Sequence, residues 1–286
     1  MTGVEFRVLG PIEAIRAGTR LSLGGPRPRA VLAVLLLRHG HWVSVDTLID
    51  GVWGEAPPVT AAKTVQKYVS HLRAALGDPD LIVSRPEGYE LAAPDVDSRQ
   101  FDLLIDRAAA APYAVEAADL LTQALTLWRG EPYADLPELV PAQAERRRLH
   151  ERRLEAIESL VDIRLALGEH TALVSWLEEL VTEHPLRERL WGALMLALYR
   201  AGRQADALAA YGRVRSLLVD ELGAEPTPAL RAVHELVLRQ SDVAPESVSV
   251  PLHAEIARTS ANRGPARRSR TPVSYTHLTL PTTERV

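Results

Sequence analysis

A spacing of 34 residues limits what this chain can fold into more than any other feature. Gly168 and Gly202 stand 34 apart, as do Ile157 and Trp191, Leu160 and Leu194, Leu177 and Tyr211, and Leu180 and Val214. A period of that length is one antiparallel pair of helices with its turn, a unit that buries its apolar face only by stacking on a neighbour. In the last copy Trp191, Leu194, Ala207 and Tyr211 supply the packing, and Gly202 permits the tight turn. From Asp95 onward the pattern is almost wholly helical. A weaker copy runs from Phe101 and Leu104 through Ala117, Leu121 and Ala124, separated from the next by a loop over 130–141. A final helix after Pro226-Thr227-Pro228, carrying Leu230, Val233, Leu236 and Val237, is expected to cap the stack.

The first 94 residues follow another rule. Short alternating runs at 4–9, 12–16 and 21–23, broken by Gly10-Pro11 and Ala17-Gly18, predict a small antiparallel sheet. Pro26 and Pro28 lead into an apolar helix over 30–38, closed by Gly40. Ser44-Val45-Asp46 opens a shorter helix through Leu48, Ile49 and Trp53, stopped at Gly54. Pro57 and Pro58 keep the stretch 55–59 out of any helix. Thr60 is the expected N-cap of a third helix, from Ala61 to Leu76, ended by Gly77. Val65, Val69, Leu72 and Leu76 fall at i, i+4, i+7 and i+11 and form its core seam, leaving Lys63, Lys67, Ser70 and His71 on the other face, with Tyr68 and Arg73 flanking. A β-hairpin follows over 81–91, with Pro86-Glu87-Gly88 at its tip.

Composition excludes several function classes. The chain has 286 residues and no cysteine, so neither a disulfide scaffold nor a Cys/His nucleophile is available. Apolar runs of about eight residues fall well short of the ~20 that span a bilayer. The N-terminus has neither the basic start nor the apolar stretch of a signal peptide, and a cytoplasmic protein is expected. No G-x-x-x-x-G-K-[ST] cradles a triphosphate, no G-x-S-x-G elbow occurs, and His39 and His41 have no H-E-x-x-H or carboxylate cluster around them. No enzyme activity, cofactor or metal is expected. The formal charge is +1 over residues 1–94, −7 over 95–240 and +2 over 241–286. That division argues against nucleic-acid binding over the whole surface and leaves room for a local basic face. The basic run over 145–153 interleaves Glu145, Glu151 and Glu155 with arginines at helical spacing, and is read as a salt-bridged helix face.

Sheet, three helices and hairpin, in that order, are the outline of a winged helix-turn-helix of the OmpR/PhoB type. Taken alone, the helix Ala61 to Leu76 reads as an ordinary amphipathic surface helix with solvated charges. The Trp53-Gly54 loop before it and the hairpin after it reverse that reading. The stretches DSRQFDLLIDRA, ALTLWRGEPYADL and EHPLRERLWGALMLALYRAGRQADALAAYGRVRSLLVDELGAEPTPAL resemble the bacterial transcriptional activation domain that follows such a winged helix in the Streptomyces antibiotic regulatory protein family. The likeness covers roughly residues 1–240. The expected fold is therefore mainly α: a winged helix-turn-helix domain over 1–94, then an all-α tetratricopeptide-like repeat domain over 95–240. The resemblance implies an activator that binds direct repeats upstream of an antibiotic or other secondary-metabolite gene cluster and recruits RNA polymerase. A homodimer on DNA is part of that expectation. A tetratricopeptide-type protein-binding adaptor without specific DNA binding is the alternative, against which Lys63, Lys67, Arg73 and Arg85 argue.

By that resemblance the third helix enters the major groove, where base pairs differ in their donor and acceptor pattern. Thr64, Lys67, Tyr68 and His71 are the candidates for base edges or close backbone, Lys63 and Arg73 for phosphates, and Ser70 for a hydrogen bond to the backbone. Arg85 and the Gly88-Tyr89 tip are expected along the adjacent minor groove. Trp53 has two roles open, an apolar lock on the second helix and an indole N–H to a phosphate. Glu55, Ala56, Pro57 and Pro58, in the loop 54–60, match the segment that OmpR-type relatives place near the polymerase σ factor, although the composition equally suits a plain connector. No receiver domain precedes the winged helix, so aspartate phosphorylation is not the expected switch.

Residues 241–270, rich in Ser, Pro, Ala and Arg, are expected to form a disordered basic tail. The closing PVSYTHLTLPTTERV resembles translated sequencing-adapter read-through and is assigned neither structure nor function.

Overall fold

The computed structural model describes residues 3–38, 40–92 and 95–240. The expectations for the 241–286 tail and for His39 lie outside the described residues. Three short strands open the chain: β1 (Val4–Arg7), β2 (Glu13–Arg16) and β3 (Thr19–Arg20). Ala17 and Gly18, with φ of 50° and 77°, turn β2 tightly into β3. The third strand therefore lies earlier than the 21–23 run expected for it. Leu23 is instead a buried core residue beyond the strand end.

A fourth strand completes this sheet from far along the chain. β7 (Asp95–Val96) pairs in parallel with β1, Glu5 opposite Asp95 and Phe6 opposite Val96, giving the order β3-β2-β1-β7. Three helices follow the first strands: α1 (Pro26–Leu37), α2 (Val45–Trp53) and α3 (Ala61–Leu76). Residues 30–36 of α1 are all buried, which is why that segment is apolar on every side. The side-chain oxygen of Ser44 caps α2 by accepting from Thr47 N–H at 3.1 Å. Left-handed Gly77, at φ 64°, ends α3. Thr60 departs from its expected capping role. Its backbone is already near-helical (φ −93°, ψ 13°), so its hydroxyl makes no cap, and its carbonyl accepts from both the N–H and the hydroxyl of Thr64.

The wing is a three-stranded sheet in the order β4-β6-β5, built from β4 (Val43–Ser44), β6 (Gly88–Leu91) and β5 (Ile82–Arg85). Gly88 is required here, since a Cβ would lie 2.0 Å from the Val43 carbonyl oxygen.

The helical half comprises α4 (Asp97–Ala110), α5 (Ala114–Thr126), α6 (Ala142–Ala166), α7 (His170–Glu183), α8 (Glu188–Arg200), α9 (Gln204–Leu222) and α10 (Pro228–Arg239). Gly168 and Gly202 turn the chain after α6 and after α8 with φ of 88° and 79°, the same device 34 residues apart. Ile157 and Trp191, like Leu160 and Leu194, are buried at equivalent places. Phe101, Leu104, Ala117, Leu121 and Ala124 are buried too, so the weak first copy forms a helix pair. The hydroxyl of Thr227 caps α10, whose Leu230, Val233 and Val237 close the stack.

The halves exchange core residues. Leu9 is buried among Phe101, Leu104 and Leu149, while Tyr133, Leu136, Leu139 and Ala142 join the core around α1, α2 and α3. Each of these leucines removed from water stabilises the fold by about 1.5–3 kcal/mol. Backbone bonds run along the junction: Arg129 N–H donates to Leu9 O at 2.8 Å and Tyr133 N–H to Val8 O at 3.0 Å. The buried Asp97 carboxylate, 3% exposed, accepts from Val8 and Leu9 N–H at 2.7 and 3.1 Å. Asp135 accepts from Ile12 N–H and pairs with Arg29 at 2.6 Å.

The basic run over 145–153 has structural partners. Arg146 donates to the carbonyls of Pro132, Tyr133, Leu136 and Pro137, fixing the loop before α6. Arg148 pairs with Glu145 and reaches Asp102 on α4, Arg152 pairs with Asp106, and Arg153 lies over the Trp128 ring. The interleaved glutamates supply only part of this, because much of the counter-charge comes from α4.

Candidate nucleic-acid interface

Helix α3 has one apolar seam, and the seam fixes which of its side chains can reach a ligand. Val65, Val69, Leu72 and Leu76 are fully buried against α1 and α2. The helix is therefore held by one side, and the opposite side faces solvent. Lys63, Gln66, Lys67, Ser70 and His71 are all exposed there, at i, i+3, i+4, i+7 and i+8. Among the described residues, neither Lys63 nor Lys67 has a carboxylate partner. The His71 ring rests over the backbone of Gly24, where a Cβ would stand 2.8 Å from Nε2. Gly24 at φ +81° leaves the space that His71 occupies.

The other sequence-derived candidates on and beside α3 are bonded or packed within the fold. Thr64 is half-buried and donates its hydroxyl back to Thr60 O at 2.9 Å. Tyr68 packs on the core and stacks on Trp53, with ring centroids 6.3 Å apart. The Trp53 indole N–H is buried with no hydrogen-bond partner, so this side chain serves as an apolar lock and its nitrogen is not presented at the surface. Arg73 turns away from the exposed stripe. Its Nε and Nη2 donate to Ile82 O at 2.9 and 2.5 Å, Nη2 also reaches Ser84 Oγ, and the guanidinium lies 5.9 Å from the Tyr89 ring centroid. Arg73 thus ties the wing to α3. Arg16 of β2 ties the opening sheet to the end of α3, its Nη1 donating to Gly77 O at 3.1 Å.

In the wing, Tyr89 is buried opposite Ser84 and Val43, on the inner face with Leu91. Arg85 is exposed on the outer face and pairs with Glu90 at 2.6 Å. Between α2 and α3, residues 54–60 are all exposed, including Glu55, Ala56, Pro57 and Pro58, and Ala61 N–H donates to Pro58 O at 2.8 Å to close the loop.

Sequence reasoning missed Gln66. Counting three residues on from Lys63, or four back from Ser70, would have placed it on the exposed stripe. Among the described residues, no group of three or more His, Asp or Glu is placed to hold a metal ion, and no helix is long and apolar enough to cross a membrane.

Residues 18–91 match the family described as transcriptional regulatory protein, C terminal, and residues 96–238 match the bacterial transcriptional activator domain. Regulatory protein AfsR of Streptomyces coelicolor is 43% identical over 284 residues, covering 96% of this chain. The chain spans only 28% of that relative's length. Regulatory protein DnrI of Streptomyces peucetius is 35% identical over 254 residues, covering 82% of this chain and 92% of DnrI. The solved structure of Mycobacterium tuberculosis EmbR in complex with a low affinity phosphopeptide superimposes with a TM-score of 0.83 at 36% identity, over 92% of this chain and 71% of that one. A winged helix with a solvent-facing basic helix, the helical domain that follows it, and likeness to DnrI over 92% of that protein's length converge: the chain belongs to the Streptomyces antibiotic regulatory protein family of DNA-binding transcriptional activators.

Proposed function

We propose that the chain activates a secondary-metabolite gene cluster by binding direct repeats near its promoter, with α3 in the major groove and the hairpin along the adjacent minor groove. The observation that carries this is the stripe on α3, where Lys63 and Lys67 stand exposed without counter-charge among the described residues, beside Ser70 and His71. Unpaired ammonium groups in that position neutralise phosphates and release counterions, and the side chains between them reach base edges. Arg85, exposed on the wing, supplies its contact by exchanging the Glu90 carboxylate for a phosphate. Arg73, Tyr68, Tyr89 and Trp53 act one step back by holding helix and wing in their mutual register. The exposed loop 54–60, with Glu55, Ala56, Pro57 and Pro58, is the surface offered to RNA polymerase and its σ factor. The acidic helical domain stays off the duplex through like-charge repulsion and supports pairing of two copies on tandem repeats. These events take place in the cytoplasm, at the nucleoid.

A footprint of the full chain on the upstream regions of neighbouring genes, across a salt series, tests the proposal. Protected direct repeats about one helical turn apart are expected, with protection by Lys67→Ala and by His71→Ala requiring several-fold more protein than wild type. An intact fold with no protection even at low salt would overturn it and favour a peptide-binding adaptor.

A further inference from the structure

Five side chains form the solvent stripe of α3, and their chemistry is unequal. Lys63 and Lys67 donate only and act as point charges. Ser70 offers one atom, and His71 is held against Gly24. Thr64 and Arg73, which could otherwise compete for bases, have their polar groups bound to Thr60 O or to Ile82 O and Ser84, and the Tyr68 ring, stacked on Trp53, ends in a single hydroxyl rather than a fork. Gln66 alone carries a donor and an acceptor in one planar fork. It is exposed in the second turn of α3, flanked by Lys63 and Lys67, and has no hydrogen-bond partner among the described residues. Ala62, also exposed one turn before it, adds no bulk to hold the helix away from a groove floor.

We infer that Gln66 is the specificity-determining residue of the interface, reading one adenine per repeat through paired hydrogen bonds, its amide nitrogen donating to N7 and its amide oxygen accepting from N6–H. The inference rests on α3 being the groove helix. The flanking lysines pull the helix into the groove by contacting phosphates on either side, which sets the depth at which the central amide meets a base edge. A glutamine is the side chain whose fork matches the acceptor and donor that adenine shows in the major groove. Guanine there offers two acceptors and cytosine one donor, so neither satisfies both ends of the amide.

The test uses the full chain and duplexes carrying the protected repeat, with each base pair replaced in turn. For wild type, one A·T pair is expected whose replacement lowers affinity by about 5- to 150-fold. In Gln66→Ala that penalty falls to near onefold while penalties elsewhere and the salt slope stay as in wild type. In Gln66→Glu the preferred pair at that position moves to C·G, because a carboxylate accepts from cytosine N4–H. Both substitutions are good helix formers at an exposed site, so the fold is retained. Unchanged base preference in Gln66→Ala, or a uniform loss across all duplexes, overturns the assignment while leaving α3 as the groove helix. Absence of any sequence-dependent binding by wild type overturns both.

Discussion

Helix α3 carries Lys63, Lys67 and Arg73 along 16 residues, whereas α6 carries six arginines along 25. By cation count α6 is the better candidate for nucleic acid. Five of its arginines nonetheless have partners inside the fold: Arg146 on loop carbonyls, Arg148 and Arg152 on carboxylates, Arg153 over Trp128, and Arg164 near Glu169. In α3, among the described residues, Arg73 is the engaged cation, and both lysines face outward without partners. What distinguishes a ligand-binding face is therefore available charge, and availability depends on what the neighbouring elements present. α6 lies against acidic α4 and a loop with carbonyls to satisfy, while α3 shows its polar side to solvent.

The comparison is sharpened first by Arg146→Ala. Its guanidinium serves four carbonyls of the loop whose Tyr133 and Leu136 complete the winged-helix core. The variant should lose about 2–4 kcal/mol in urea denaturation, because several acceptors lose charged donors at once. DNA affinity per folded molecule should be unchanged. Next, Lys63→Ala combined with Lys67→Ala should leave stability nearly intact and weaken operator binding on the order of tenfold, with the salt slope shallower by roughly 0.9 for each phosphate contact removed. Arg148→Ala with Arg152→Ala should do the reverse: affinity within about twofold of wild type and stability lower by about 1 kcal/mol, as for partly exposed ion pairs. Equal losses of affinity in the two double variants would break the comparison.

The smallest effect concerns acid. Burial pushes the Asp97 carboxyl above its usual range, more than the N–H groups of Val8 and Leu9 and the nearby Arg129 pull it down. A group whose pKa is higher folded than unfolded binds its proton more tightly in the native state, so stability falls as pH rises through that raised value. Wild type should therefore gain stability relative to Asp97→Asn as the pH drops through the interval just above the ordinary carboxylate pKa. Urea midpoints of the two proteins over a pH series would show it. Parallel curves would contradict it.

Much of this organisation was legible in the residues. Ser44, Gly54 and Gly77 delimit α2 and α3, and the 34-residue recurrence locates the turns at Gly168 and Gly202. Those signals are local, acting through caps and left-handed turns. Contacts closed over long chain separations left no such mark. β7 pairs with β1 across about 90 residues, and Tyr133, Leu136 and Leu139 lie in a proline-rich loop that reads as a connector yet fill the first core. At the interface, the stripe of Lys63, Lys67, Ser70 and His71 followed from helical period, and Gln66 was there to be counted. Tyr89, expected at the tip along the minor groove, is buried instead: it shares its strand face with apolar Leu91, and that two-residue alternation is the signal the expectation passed over. That Arg73 would bind Ile82 O needed the wing's position against α3, which sequence period alone does not supply.

The most direct test places a photoreactive side chain at position 67 of α3 and, separately, at position 147 of α6, where Arg147 is exposed and has no partner among the described residues. Irradiation with a promoter duplex and excess nonspecific competitor should crosslink DNA from position 67 and leave position 147 at background. Crosslinking from 147 alone, or equally from both, would contradict the assignment of the DNA-binding face to α3.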